Sequence, residues 1–145
     1  CKFNMDEGLI NRNKNINRGY RKLEVWKEAI DLYTFVKDKI RQLKEVPYKI
    51  KAQAEDSIYS CHSNIAEGYS RRSIKEYIHF VNISLSSLVE NYSQIFALHS
   101  GNDIEREWFD KYDQKHYSLE NKLIQMNKTM ISKVDQNEWR NDYIL

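Results

Sequence analysis

Residues 63–73 read Ser-Asn-Ile-Ala-Glu-Gly-Tyr-Ser-Arg-Arg-Ser. The stretch holds a helix end, a basic turn and a new helix start. Gly68 suits the left-handed residue that closes a helix, so the preceding helix is expected to stop at Glu67. Ser73-Ile74-Lys75-Glu76 is a capping box: the serine hydroxyl accepts from an orphan amide and the glutamate reaches back to the cap. Two helices separated by so short a turn lie side by side and antiparallel.

The periodicity extends outward from this turn. Upstream, Ile50, Ala54, Ile58, Cys61 and Ile65 form one stripe at steps of four, four, three and four, predicting a helix from about Tyr48 to Glu67. Downstream, Ile74, Tyr77, Ile78, Val81, Leu85, Leu88, Tyr92 and Ile95 predict a helix to about His99, ended by Ser100-Gly101-Asn102. A last helix is expected from about Asp103 past Ile131. Acids at 103, 105 and 107 suit its positive start. Trp108, Tyr112, His116, Leu119, Leu123, Met126 and Met130 are its inward row. Before Pro47, Val25, Ala29, Leu32, Val36, Ile40 and Leu43 define a helix from about Leu23 to Leu43. A second row beside it, Leu23, Trp26, Ile30 and Tyr33, makes its apolar face wider than one bundle interior needs. Self-association is expected from that width.

One Pro, four Gly and no β-rich run in 145 residues support an all-α chain. The predicted fold is an antiparallel up-down-up-down four-helix bundle over residues 20–145, preceded by a flexible tail over 1–19, with no internal repeat. Residues from Gln136 are expected to fray or to dock through Trp139 and Tyr143. Net charge is +2, from 23 basic and 21 acidic side chains, so bulk charge does not announce a nucleic-acid binder. Residues 1–22 nevertheless carry six Lys/Arg against two acids. Two cysteines make no disulfide framework, and Cys61 reads as a small core residue. No apolar run reaches the roughly 20 residues of a membrane span, and no signal-peptide core opens the chain, so a cytoplasmic location without membrane contact is expected.

Catalytic and metal chemistry find little support. A di-metal bundle site needs Glu-x-x-His on two helices and an inward Glu on each of the others. Glu76-Tyr77-Ile78-His79 supplies one pair, and Asp113-Gln114-Lys115-His116 only an aspartate version. Glu24, Glu28, Asp31 and Glu55 fall mainly off the apolar rows, and His116 reads as a satisfied core or interface histidine. Cys61, His62 and Ser63 are adjacent, but helix neighbours point about 100° apart, so adjacency is not geometry. No catalytic residue, metal or cofactor is expected. The best anion site is the Arg71-Arg72 turn with Lys75, where free amides and the helix dipole favour negative charge. In an antiparallel bundle this turn shares an end with Arg18, Arg21 and Lys22. The competing reading pairs Arg71 or Arg72 with Glu67 in a solvated turn.

Tyr20-Arg21-Lys22-Leu23-Glu24-Val25-Trp26, the Ser63–Ser73 stretch, and Lys75-Glu76-Tyr77-Ile78-His79-Phe80-Val81-Asn82-Ile83 resemble the four-helix-bundle family encoded in 23S rRNA intervening sequences. That family is related to the accessory variability determinant of diversity-generating retroelements. The resemblance spans about residues 20–99. It implies a bundle assembling into a ring-like homo-oligomer, a pentamer, without established catalytic activity. Retroelement relatives imply a reverse transcriptase as partner and a basic surface for nucleic acid. His62 stands where the family often has Pro, removing a kink. Glu90-Asn91-Tyr92 replaces the family's Glu-x-Glu, leaving Glu90 and Gln94. The expected function is a non-enzymatic homo-oligomer that binds RNA or DNA through Arg18, Arg21, Lys22, Arg71, Arg72 and Lys75. The alternative is a scaffold subunit of a reverse transcriptase.

Overall fold

The structure, a computed structural model, describes residues 5–135. The expectation of docking through Trp139 and Tyr143 lies outside them. The elements are α1 (Glu7–Ile10), a 3-10 segment (Ile16–Lys22), α2 (Glu24–Gln42), α3 (Tyr48–Ser70), α4 (Ile74–Ser100) and α5 (Arg106–Asp135), with no strand among the described residues. Helices α2–α5 are the four predicted from periodicity.

Around the bundle each helix packs on its chain neighbours, and α5 closes the circle against α2. Side-chain pairs set the directions. Lys122 meets Glu24 and Glu28, Lys115 meets Asp31, and Lys39 meets Glu105, so α5 runs antiparallel to α2. Ser84 Oγ donates to the Cys61 carbonyl at 2.9 Å and Asn91 Nδ2 to that of Ala54 at 3.0 Å, so α4 returns along α3. Arg41 bonds Glu55 at 2.9 Å across α2 and α3. Glu24, Glu28, Asp31 and Glu55 are thus seam partners of cations. Such pairs fix register more than they add stability.

Val25, Ala29, Leu32, Val36 and Ile40 of α2 are buried against Ala54, Ile58, Cys61 and Ile65 of α3. Truncating one of the larger of these to Ala removes apolar contact and leaves a cavity, costing about 2–5 kcal/mol. Cys61 is fully buried, and burial pushes its thiol up to about 12, so it behaves as a core residue. The core also contains a polar seam. Asn91 Nδ2 donates to Ser57 Oγ at 3.1 Å, and Tyr112 Oη donates to Asn91 Oδ1 at 2.7 Å. His116 Nε2 bonds the Leu88 carbonyl at 2.8 Å, which requires the proton on that nitrogen. His116 is the satisfied core histidine expected.

Two expectations need correction. Gly68 does not close α3: it lies inside the helix, which continues to Ser70, and no glycine has positive φ. Its role is close approach, because a Cβ there would stand 2.8 Å from Phe80 Cβ and 3.0 Å from Tyr77 Cδ1. The last helix starts at Arg106 rather than Asp103. Asn102 takes a left-handed φ of 67°, and the Asp103 amide donates back to Leu98, so the chain turns before it can coil again. Residues 5–19 contain α1 and the start of the 3-10 segment. Asp6 caps α1 through the Leu9 amide, and Asn15 caps the 3-10 segment through the Arg18 amide, at 3.0 and 3.1 Å. The Ser73 half of the capping box is in place, its Oγ accepting from the Glu76 amide at 3.4 Å.

Candidate nucleic-acid interface

The 3-10 segment packs on both α2 and α3. Its Gly19 lies against Tyr69 so closely that any Cβ would enter the phenol. Tyr20 meets Tyr69 and Trp26 edge-on, at centroid distances of 6.5 and 5.4 Å. These rings pin residues 16–22 to the last turn of α3. Arg18, Arg21 and Lys22 therefore share a bundle end with Arg71, Arg72 and Lys75, as antiparallel topology required.

Sharing an end does not make the six equivalent. Arg21 turns back onto its own chain, donating to the carbonyls of Arg12 at 3.0 Å and of Leu9 and Arg18 at 3.4 Å. Its guanidinium ties α1 to the 3-10 segment. Arg71 Nη2 pairs with Glu67 Oε1 at 2.7 Å, and its guanidinium lies 5.1 Å from the Phe80 ring centre. The solvated-turn reading thus describes Arg71 well. Arg18, Lys22, Arg72 and Lys75 are exposed. Among the described residues none of these four forms an ion pair. Arg18 bonds only neutral oxygen, the Asn13 carbonyl at 3.2 Å. Arg72 and Lys75 flank the start of α4, where free amides and the helix dipole favour an anion.

Beside this end Leu23, Tyr69, Tyr77, Met126 and Met130 line a groove of about 530 Å³, with Lys122 and Lys133 in its wall. Sequence reading missed it. The available signal was helix length: α5 has 30 residues and α2 has 19, and Lys122 already stands level with Glu24. The last turns of α5 therefore run beyond the start of α2.

Other candidates resolve into local roles. Glu76 and His79 are exposed on α4, whereas His116 is buried and bonded to a carbonyl, so they do not converge. His62 sits in an aromatic cluster, 4.7 Å from Tyr59 and 5.8 Å from Tyr33 between ring centres, and burial lowers its pKa. The second apolar row of α2 is covered from within, Tyr33 by Tyr59 and Trp26 by Tyr20. The width of that helix therefore no longer argues for an interface. Exposed apolar side chains lie instead on α3, at Tyr48, Ile50 and Tyr59, and on α4 and α5, at Val89, Phe96, Tyr117, Ile124 and Ile131.

Comparison with curated proteins finds no match. Comparison with protein families matches residues 21–125, which run from the 3-10 segment through most of α5. With the motifs around Val25, Ile65 and Tyr77 built into one bundle, and most of its length matched, the chain belongs to the 23S rRNA-intervening sequence protein family.

Proposed function

We propose that this chain is a non-enzymatic, self-associating helical protein that contacts RNA or DNA through the bundle end bearing Arg18, Lys22, Arg72 and Lys75. The convergence of two basic segments distant in sequence carries the reading. Four exposed cations with no ion pair among the described residues gather at that end, Arg72 and Lys75 of them beside the start of α4. Phosphate is the ligand such a surface suits. A non-enzymatic role is supported by the polar core, where Ser57, Asn91, Tyr112 and His116 are engaged in bonds that join helices. Exposed apolar side chains on α4 and α5 support self-association. A reverse transcriptase is the alternative partner proposed from the family resemblance, and a reverse-transcriptase gene beside this one would favour it.

The test is fluorescence anisotropy with labelled single- and double-stranded RNA and DNA at several salt concentrations. Four phosphate contacts predict a slope of log K against log salt of about −2.8 for single strands and −3.6 for duplex. Arg72→Ala with Lys75→Ala should reduce that slope by about half. Binding insensitive to salt, or unchanged in the double variant, would remove the proposal.

A further inference from the structure

We propose that the groove beside the basic end receives an unstacked base of a single-stranded nucleic acid whose phosphates lie on the exposed cations there. This deepens the nucleic-acid reading above and rests on it.

The first observation is how the groove is built along the chain. Its lining residues are interleaved with the cations. Leu23 follows Lys22, Tyr69 stands three residues before Arg72, and Tyr77 stands two residues after Lys75. Met126 and Met130 complete the lining from α5. The segments that bring positive charge to this end therefore also supply an apolar cleft. A nucleotide has the matching construction, a flat base tethered to a phosphate. At about 530 Å³ the groove falls within the about 300–1,000 Å³ of clefts that hold small organic groups.

The second observation is the chemistry of the lining. Tyr77 and Met130 are each 4 % exposed and make the deep part of the groove. Tyr69 and Met126 are half-buried. Tyr69 meets Tyr77 and Tyr20 edge-on, at 6.1 and 6.5 Å between ring centres. A ring fixed in this way offers a base a platform that needs little further ordering. Methionine thioethers are polarisable and adapt to an aromatic partner. An acyl chain could use these surfaces too, but the wall also carries Gln125 and Thr129, both exposed. The Gln125 amide offers donors and an acceptor. The Thr129 hydroxyl donates to the Gln125 carbonyl at 3.0 Å, which leaves its own oxygen to accept. Base edges present that mixture of donors and acceptors. Lys122 in the wall is engaged with Glu24 and Glu28, so it balances those acids and the phosphates are left to the exposed cations.

The third step is selectivity. A base within a duplex is stacked and paired, and enters a cleft only after extrusion. Cations at a helix start make no such distinction. The groove therefore favours single strands over duplex.

Fluorescence anisotropy on the full chain tests this, with short labelled oligothymidine, an abasic strand of equal length and a duplex. Oligothymidine should bind about 5- to 150-fold more tightly than the abasic strand, the effect of one stacked base, with the same salt slope. Tyr69→Leu should remove most of that preference and Tyr69→Phe should keep it, both with helical circular dichroism retained and duplex affinity unchanged. A second measurement needs no variant: a 5-iodouracil strand irradiated with the wild type should crosslink to Tyr69 or Met126. Absence of salt-sensitive binding to every strand removes the nucleic-acid reading itself. Equal binding of oligothymidine and the abasic strand overturns the groove as a base site and leaves the basic end standing. Crosslinks confined to other residues overturn it as well, as does a Tyr69→Leu loss shared equally by duplex. Laurate binding that Tyr69→Leu abolishes, without any preference for bases, would assign the groove to an apolar acid instead.

Discussion

Replacing Tyr112 by Phe tests the polar seam with the least change of shape. The ring keeps its stack on Trp108 at 5.4 Å and its contact with His116 at 5.6 Å. Only the hydroxyl leaves, and with it the 2.7 Å bond to Asn91 Oδ1. Asn91 is fully buried, and its amide hydrogens are already directed to Ala54 and Ser57, so its oxygen loses its donor without gaining water. An unsatisfied buried acceptor costs about 1–3 kcal/mol. Taking about 2 kcal/mol and about 2–4 °C per kcal/mol for a chain of this length, the melting temperature should fall by about 4–8 °C. Differential scanning calorimetry measures this directly. Tyr92→Phe is the control, because the Tyr92 hydroxyl shares with Asp113 a pocket between α4 and α5 that is open to solvent, where water can replace it. Its loss should stay below about 1 kcal/mol. If Tyr112→Phe melts with the wild type, or Tyr92→Phe costs as much, the seam does not hold the helices in the way described.

Three further outcomes are expected. Gly68→Ala, which would ordinarily stabilise a helix by about 0.5–1 kcal/mol, should destabilise by about 1–2 kcal/mol in urea unfolding, because its Cβ meets the immobile Phe80 Cβ; a gain in stability would contradict the close approach. Burial holds His62 below its ordinary 6.5, so the unfolded chain takes up the proton first as pH falls. Its contribution is complete above pH 6.5 and is lost as pH drops through that value toward the folded pKa. Melting measured from pH 7.5 to 5 should decline less in His62→Gln than in wild type, and parallel curves would refute the assignment. Arg21→Ala should raise amide hydrogen exchange across residues 9–22 while leaving α3 and α4 protected, since its bonds run to carbonyls of Leu9, Arg12 and Arg18; unchanged exchange would return Arg21 to the binding surface.

The four main helices were legible because caps and periodicity are properties of near neighbours. Ser73 caps α4, Pro47 precedes α3, and the row from Val25 to Ile40 is buried in the positions expected. The finer face of each helix was harder. On α4 the fully buried row is Val81, Ser84, Leu88, Asn91 and Ile95, whereas counting apolar residues favours Leu85 and Tyr92. Ser57 and Asn127 are buried in the same way. A polar residue belongs in a core only when its partner is there, and the partner lies on another helix: Asn91 for Tyr112, Asn82 for Asn127. No single-helix pattern contains that information. Gly68 has the same difficulty, since the reason for glycine is Phe80 on the next helix.

The basic end follows the same logic at the level of function. Topology alone brings Arg18, Arg21, Lys22, Arg71, Arg72 and Lys75 to one end, and the packing of Gly19 and Tyr20 on Tyr69 draws residues 16–22 onto it. A positive side chain can serve a phosphate only with donors directed outward, and two of the six direct theirs inward. Arg21 donates to the carbonyls of Leu9, Arg12 and Arg18, and Arg71 holds Glu67 and covers Phe80. The two arginines therefore form part of the support beneath the surface. Loss of either should disturb the end without reducing the salt slope as directly as Arg72 or Lys75 does. A binding assay that changed only Arg71 and Arg72 together would mix a supporting residue with an exposed one. The pair that separates them is Arg72→Ala against Arg71→Ala, with the slope falling by about 0.7–0.9 in the first and remaining near wild type in the second.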